Sequence, residues 1–263
     1  MIKVRALLLA AGLGNRLRPL TNQWPKCLMP IGERPLLEYW LETLWLSGIR
    51  EVLVNIHYLP VVVQEFLARP RFRAWVHSVI ETELLGTAGT LRANAEFFRE
   101  RTVLLVHADN WCQCQFENFI EFHHQQRPKG TVMTMMTFDT DSPKTCGIVE
   151  TDSRGVVQVF HEKVTDPPGT RANAAVYLLE PEVLRWLEQH QDISDFSTQV
   201  LPNYLGQIAT WNNAQIHRDI GTFETLHKAQ SDPLNAAVWQ KTDAWQQWFL
   251  EQPIHKQLTV DVT

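Results

Sequence analysis

The sequence predicts an α/β fold: an open mixed sheet with helices on both faces and a small antiparallel region. Three observations carry that prediction. Residues 4–10, apolar but for Arg5, form a run closed by Gly12, as expected of a strand buried on both faces. From there to Gln125, apolar strand-like runs alternate with segments of helical period, the pattern of a parallel sheet with crossover helices. Beyond Thr131, strand-like runs follow one another with few helices between them. The first half is therefore Rossmann-like, and the second adds an antiparallel substrate or lid region.

Each element has a local reason. Residues 11–35 make a loop rich in Gly and Pro. Residues 36–47 carry apolar side chains at helical spacing and stop before Gly48, a C′ glycine. Residues 51–57 read as a strand, and Pro60 opens a short helix at the favoured first position. Strands are predicted over 75–80 and 102–107, and helices over 88–98 and 116–125. Residues 131–138, 147–150, 156–160 and 174–179 read as strands, with a turn at 152–155. Residues 181–190, 198–205 and 222–229 read as helices. In the tail, Trp245, Trp248 and Phe249 stand at i, i+3, i+4 on a helix that either caps the core or makes a homodimer contact. No linker interrupts the first 230 residues. One domain is expected over 1–230, with halves of about 1–130 and 131–230, followed by a helical extension over 231–263.

Composition excludes several classes. The 263 residues carry a formal charge of −5, which gives no basic field for a nucleic-acid backbone. Apolar residues make up 44% and charged residues 20%, a globular balance. No apolar run approaches the roughly 18 residues of a membrane span, and the N-terminal run reads as a strand, not a signal peptide. Cys27, Cys112, Cys114 and Cys146 are expected as reduced thiols in a cytoplasmic protein. Cys112 and Cys114 lack a second pair at zinc spacing. His123 and His124, adjacent on a helix, are expected to face apart and form no chelate. Met133, Met135 and Met136 are expected in the core. No Ser-His-Asp or Cys-His spacing is present that could support a nucleophile, and no hexapeptide repeat predicts a β-helix.

The residues that carry chemistry begin at Gly12-Leu13-Gly14-Asn15-Arg16-Leu17-Arg18-Pro19-Leu20-Thr21, with Pro25-Lys26 following. A glycine turn directly after a buried strand lies where open α/β sheets bind ligands. Gly12 and Gly14 permit close backbone approach, and successive N–H groups form an anion nest. No Gly-Lys-Ser/Thr closes the loop, and position 17 is Leu, so neither the Walker loop nor the dinucleotide fingerprint fits. Arg16 and Lys26 instead flank the turn with two cations suited to a polyphosphate.

These motifs resemble those of the sugar-1-phosphate nucleotidyltransferases, and the resemblance runs in order to about Ala229. It is nearest to mannose-1-phosphate guanylyltransferase-like members without a β-helix domain. Asn15 replaces a Thr of the family signature. The resemblance implies transfer of a nucleotidyl group from a nucleoside triphosphate to a sugar 1-phosphate, with release of pyrophosphate. Arg16, Lys26 and Lys163 become catalytic residues. Ala10, Gly12, Gly14, Asn15, Gly86 and Thr87 would bind nucleotide, although Thr87 reads equally as a helix N-cap.

Two acidic residues, Asp109 after the strand over 102–107 and Asp219 in Asp219-Ile220-Gly221-Thr222, match the family's Mg²⁺ ligands. Each alone could instead cap a helix. Gly147, Glu162, Lys163 and Asn173 match positions that bind sugar phosphate. Val164 replaces a Pro there, and Ala175 a Gly, the latter a small narrowing. Glu81, or Glu83 in a shifted register, stands where thymidylyl and uridylyl members carry a base-reading Gln. A carboxylate only accepts hydrogen bonds, which suits the two adjacent donors of guanine, although the residue reads equally as a solvated glutamate at a strand end. GTP with a mannose- or heptose-type 1-phosphate is thus expected, with dTTP or UTP and glucose 1-phosphate as the alternative. A catalytically silent sugar-nucleotide-binding regulator is the reading from another class. A glycosyltransferase is disfavoured because Asp109-Asn110-Trp111 lacks a second Asp.

Overall fold

Runs of Leu, Val and Ile assemble into a mixed nine-stranded sheet in the computed structural model of the chain, which describes residues 4–239 and 241–260. The strands are β1 (Val4–Leu9), β2 (Pro30–Ile31), β3 (Arg34–Pro35), β4 (Val52–Ile56), β5 (Val76–Ile80), β6 (Thr102–His107) and β7 (Asn110–Cys112). They continue with β8 (Met133–Asp139), β9 (Gly147–Thr151), β10 (Val157–Glu162), β11 (Arg171–Leu179), β12 (Ile208–Asn212) and β13 (His217–Asp219). The main order is β10-β9-β11-β6-β1-β4-β5, and β8 pairs with both β11 and β12. β13 pairs with β7, and β2 with β3, in two small sheets.

Two compact units are formed, each drawing on separated stretches of chain. The first, here the glycine-loop unit, comprises Leu8–Leu84, His107–Gln113 and the chain from Arg218 onward. In it, β4 and β5 pair in parallel with Val52 opposite Val76. Between β3 and β4 lies α1 (Leu36–Leu46), closed by Gly48 at φ 77, a left-handed position that glycine takes without strain. Between β4 and β5 lies α2 (Pro60–Leu67), with its proline at the first turn.

The second, antiparallel unit comprises the chain up to Leu7, Leu85–Val106 and Cys114–His217. Here β11 runs antiparallel to β6 and to β8, β9 antiparallel to β10, and β12 parallel to β8. The helix predicted over 88–98 is divided at Asn94 into α3 (Thr87–Ala93) and α4 (Ala95–Phe98). α5 (Phe116–Glu121) continues as a π-helical turn, Phe122–Gln126, closed by Arg127 N–H on Phe122 O at 2.8 Å. α6 (Pro181–Glu188) follows β11. Residues 198–205, predicted as one helix, form parts of a π turn (Phe196–Val200) and a 3₁₀ turn (Leu201–Tyr204). Met133, Met135 and Met136 are fully buried in β8.

The π turn changes the geometry expected for the adjacent histidines. It brings ligand atoms of His123, His124 and Glu180 within 4.8 Å of one another. A wider turn rotates consecutive residues less than an α-helix does, so adjacency did not separate them. Arg127 Nη1 lies between two of them, donating to His123 Nε2 at 2.7 Å and Glu180 Oε1 at 2.6 Å.

The tail belongs to the glycine-loop unit and contributes α7 (Phe223–Ser231), α8 (Ala244–Leu250) and α9 (Pro253–Val260). Trp245 stacks on Phe249 at 5.2 Å and meets Phe66 edge-on at 5.0 Å, while Trp24 touches both Trp248 and Phe249. α8 therefore caps an aromatic core. The four cysteines are free thiols. Among the described residues, no helix is long and apolar enough to cross a membrane.

Candidate active site

Buried β1 delivers the chain into the glycine turn at Ala10. Gly14 takes a left-handed conformation, φ 63, and a Cβ there would stand 2.7 Å from Thr21 Cγ2. Thr21 locks this bend, donating its hydroxyl to Gly14 O at 2.9 Å. Gly12 differs: a Cβ there would meet nothing within 4 Å, so packing within the protein does not demand a glycine. Asn15 and Arg16 follow, exposed, in a single 3₁₀ turn.

Four charged side chains of the glycine-loop unit then meet. Lys26 lies in a 3₁₀ turn and is only 4% exposed. Its Nζ donates to Asp109 Oδ2 at 2.8 Å and to Asp219 Oδ1 at 3.0 Å. Arg16 Nη2 donates to Asp219 Oδ2 at 2.8 Å. Asp109 arrives from the end of β6, with Ala108 N–H held on Leu9 O at 3.1 Å. Asp219 ends β13, which pairs with β7 just beyond Asp109.

The charges set one another's titration. Burial opposes the ammonium of Lys26, yet Asp109 and Asp219 outweigh it and hold its pKa above the usual lysine value. Burial likewise pushes Asp109 and Asp219 up, but Lys26 overrides this at both, joined by His107 at Asp109 and by Arg16 at Asp219, so both carboxyls stay below the ordinary range. Neither Asp acts as a helix cap. The cap of α7 is Thr222, through a reciprocal capping box with Thr225.

Both carboxylates contact one nitrogen, so their oxygens face a common point. A hard divalent cation with phosphate and water completing its shell suits such a donor set. Asp109 and Asp219 therefore fit a Mg²⁺-type ion by geometry and by ligand chemistry.

Glu81 lies in the same unit, 6% exposed, one residue past β5. Its N–H donates to Ile56 O at 2.8 Å, and its Oε1 accepts from Asn55 Nδ2 at 3.1 Å. Asn55 Oδ1 accepts the Ala10 N–H at 2.8 Å. Thus the Ala10 N–H is engaged within the unit, and the N–H groups available to an anion begin after it. Glu83 is exposed. Asn55 was not singled out in the sequence, although a lone amide in an otherwise apolar strand was the available signal.

The remaining expected residues lie in the antiparallel unit. Gly86 precedes α3 at φ 78, where a Cβ would stand 2.5 Å from Ser194 O. Thr87 is the first helical residue, not its cap, and its Oγ1 accepts from Phe196 N at 2.7 Å. Gly147 abuts Phe160 and Glu162, whose Oε2 would lie 2.9 Å from a Cβ added there. Lys163 Nζ pairs with Glu162 at 3.3 Å. Asn173 donates to Tyr177 Oη at 2.6 Å, and its Oδ1 accepts from Ala175 N at 2.9 Å. Ala175 does more than narrow the site. It adopts φ 54, within a bulge between Asn173 and Tyr177, a backbone state that glycine takes more readily.

Residues 5–236 match the family described as nucleotidyl transferase. The chain is 31% identical over 187 residues to the mannose-1-phosphate guanyltransferase of Kluyveromyces lactis, covering 69% of this chain and 51% of that protein. It is 30% identical over 235 residues to the mannose-1-phosphate guanylyltransferase of Mycobacterium tuberculosis, covering 88% and 64%. The chain spans about half the length of several such curated relatives. A crystal structure of a proposed glucose-1-phosphate thymidylyltransferase from Bacillus anthracis, in complex with sucrose, shares the fold. Its TM-score is 0.77 at 18% identity, covering 93% of this chain and 99% of that one. The glycine turn, the paired carboxylates and a match across 5–236 agree: the chain belongs to the nucleotidyl transferase family.

Proposed function

We propose that this chain transfers a nucleotidyl group from a nucleoside triphosphate to a sugar 1-phosphate, with GTP and a mannose- or heptose-type 1-phosphate as its substrates. The observation that carries the reading is the meeting of Lys26 with Asp109 and Asp219, beside Arg16, under a glycine turn whose Gly12 is not required by packing. The guanylyltransferase relatives support the base, and the buried carboxylate of Glu81 supports it chemically.

The sugar phosphate attacks the α-phosphorus in line, and pyrophosphate leaves. The nucleophile is already ionised, so the protein's task is positioning and charge neutralisation rather than proton abstraction. Backbone N–H groups after Ala10, with Gly12, Gly14 and Asn15, receive the triphosphate. Arg16 stabilises the departing pyrophosphate, and Lys26 holds phosphate oxygens near the reaction centre. Asp109 and Asp219 would hold Mg²⁺, which when bound neutralises phosphate oxygens. Gly86 and Thr87 position the nucleoside. Lys163 steadies the attacking phosphate, while Gly147, Glu162 and Asn173 select the sugar. A cytoplasmic location is part of the proposal, and four free thiols support it.

A panel of GTP, UTP and dTTP against mannose and glucose 1-phosphates, read by pyrophosphate release, tests the reading. GTP with mannose 1-phosphate is expected to be fastest. Asp109→Ala should lower turnover by about 10²-fold or more while leaving the melting transition cooperative. Full activity in that variant removes Asp109 from the metal site. A tenfold advantage for UTP or dTTP overturns the base assignment.

A further inference from the structure

Three strand exits of the glycine-loop unit are tied together by one buried side chain. Asn55, 3% exposed in β4, accepts the Ala10 N–H at the end of β1 and donates to Glu81 Oε1 beyond β5. Both bonds use the same planar amide. An Asp could accept from Ala10 but not donate to Glu81, and an apolar residue could do neither. A polar side chain inside an apolar strand is costly unless its groups are paired. Glu81 is fixed through its backbone as well, by Ile56 O at 2.8 Å on its N–H and by His57 Nδ1 at 2.9 Å from its carbonyl.

We propose that Asn55 is a positioning residue for base selection: it sets the orientation of the Glu81 carboxylate and ties that carboxylate to Ala10, where the glycine turn begins. The inference rests on the proposed reading of Glu81 as the group that meets the base. Guanine presents two adjacent donors, so it needs a carboxylate presented edge-on in a fixed plane. Uracil presents one donor between two carbonyls. An oriented carboxylate then sets oxygen against oxygen, and a carboxylate free to rotate escapes that repulsion. Discrimination therefore depends on orientation as well as on the presence of Glu81. The link to Ala10 places the base-reading group and the start of the phosphate-binding backbone in one rigid frame.

Calorimetric binding of GTP and of UTP to the full chain tests this without relying on turnover. Asn55→Asp is nearly isosteric, keeps the acceptor for Ala10 and sets a carboxylate against Glu81. It is expected to reduce the GTP-to-UTP affinity ratio by about tenfold or more, mostly through weaker GTP binding. Glu81→Gln should lower the ratio as well. The double variant Asn55→Asp with Glu81→Gln restores a hydrogen bond of reversed polarity, and should recover the melting temperature while favouring UTP.

A ratio within twofold of the parent in Asn55→Asp, with a normal melting temperature, overturns the inference. Should Asn55→Asp melt early, the double variant decides: a recovered melting temperature with the parent's GTP preference also overturns it. An unchanged ratio in Glu81→Gln removes both this inference and the base assignment. Pyrophosphate release by the parent protein then still reports whether nucleotidyl transfer stands.

Discussion

At the scale of single residues, Gly221 controls where Arg16 sits. A Cβ on Gly221 would stand 2.7 Å from Arg16 Cζ and 2.8 Å from Asp219 Oδ1. The guanidinium is the far end of a flexible side chain and can move away, so Gly221→Ala should leave stability within about 0.5 kcal/mol. Displacing a cation from its working position is expensive for catalysis, and kcat/KM should fall by about tenfold or more. Urea unfolding and steady-state kinetics on one preparation separate these effects; lost stability with intact turnover would place the importance of Gly221 in the fold instead.

His123 supplies one part of the pH dependence, beside the also depressed His124 and His255. It is fully buried, Arg127 donates to its Nε2, and Nδ1 faces Thr134 Oγ1 at 2.7 Å, which assigns a neutral ring with the proton on Nδ1. Burial, then the Arg127 guanidinium, then His124, push its pKa down from 6.5 to about 2. Between those values the unfolded chain binds a proton that the folded chain refuses. The contribution of this group to stability is therefore complete above pH 6.5 and falls as the pH drops, by up to about 1.4 kcal/mol per pH unit. His123→Gln should be less stable at pH 7.5 yet show a shallower loss between pH 6.5 and 5. Parallel stability profiles for the two proteins would assign the acid sensitivity elsewhere.

At the scale of elements, a buried ion cluster fastens α8 to α1 and the turn after α2. Arg69 donates to Glu38 at 2.5 Å and to Asp243, the N-cap of α8, at 2.8 Å. Arg71 contacts the same two carboxylates. Phe66, Phe72 and Trp245 surround the Arg69 guanidinium. Removing one member of such a pair leaves the other buried and undercompensated, so Arg69→Leu should cost about 3–5 kcal/mol in urea unfolding. Arg69→Leu combined with Glu38→Leu should recover part of that loss. An additive double variant would mean that the two side chains do not interact.

Legibility in the sequence followed the same division. Strands β1, β4, β5 and β6 could be read because apolar runs and flanking Gly or Pro act locally, and the glycine turn with Lys26 could be read because its residues are contiguous. The π turn at Phe122–Gln126 could not, since hydrophobic spacing does not distinguish a turn closed at i+5 from an α-helical one. The strand β12 is half-buried at Trp211 and exposed at Asn212, and it owes its place to parallel pairing with β8, a partner more than 70 residues earlier. Asn55 stands out in the sequence only as a lone amide in an apolar strand; its role is not legible there because its two partners, Ala10 and Glu81, lie just past the ends of β1 and β5.

At the scale of the whole molecule, the proposed reaction asks a chain of net charge −5 to receive two anions, so the local cations would decide where each one binds. Arg16 and Lys26 belong to the glycine-loop unit, whereas Lys163 belongs to the antiparallel unit, beside Glu162. Each set of cations should therefore report its own ligand, although Gly86 and Thr87, which serve the nucleoside in the proposed reaction, lie in the antiparallel unit. Hydrogen exchange with GTP and magnesium should slow amides across residues 10–16 and 107–110, and chelation by EDTA should reverse much of the effect. Mannose 1-phosphate alone should slow amides across 146–149 and 160–163. At a ligand concentration of 100 times Kd, the stabilisation is about 2.7 kcal/mol, or roughly 100-fold slower exchange for amides that exchange by opening of the bound region. The assignment has a direct contrary outcome. If the sugar phosphate slows the glycine turn and leaves 160–163 unchanged, then Lys163 and Glu162 do not hold the sugar phosphate. The cations of the turn would then have to serve both anions, and the separation of nucleotide-binding and sugar-binding residues would fall with it.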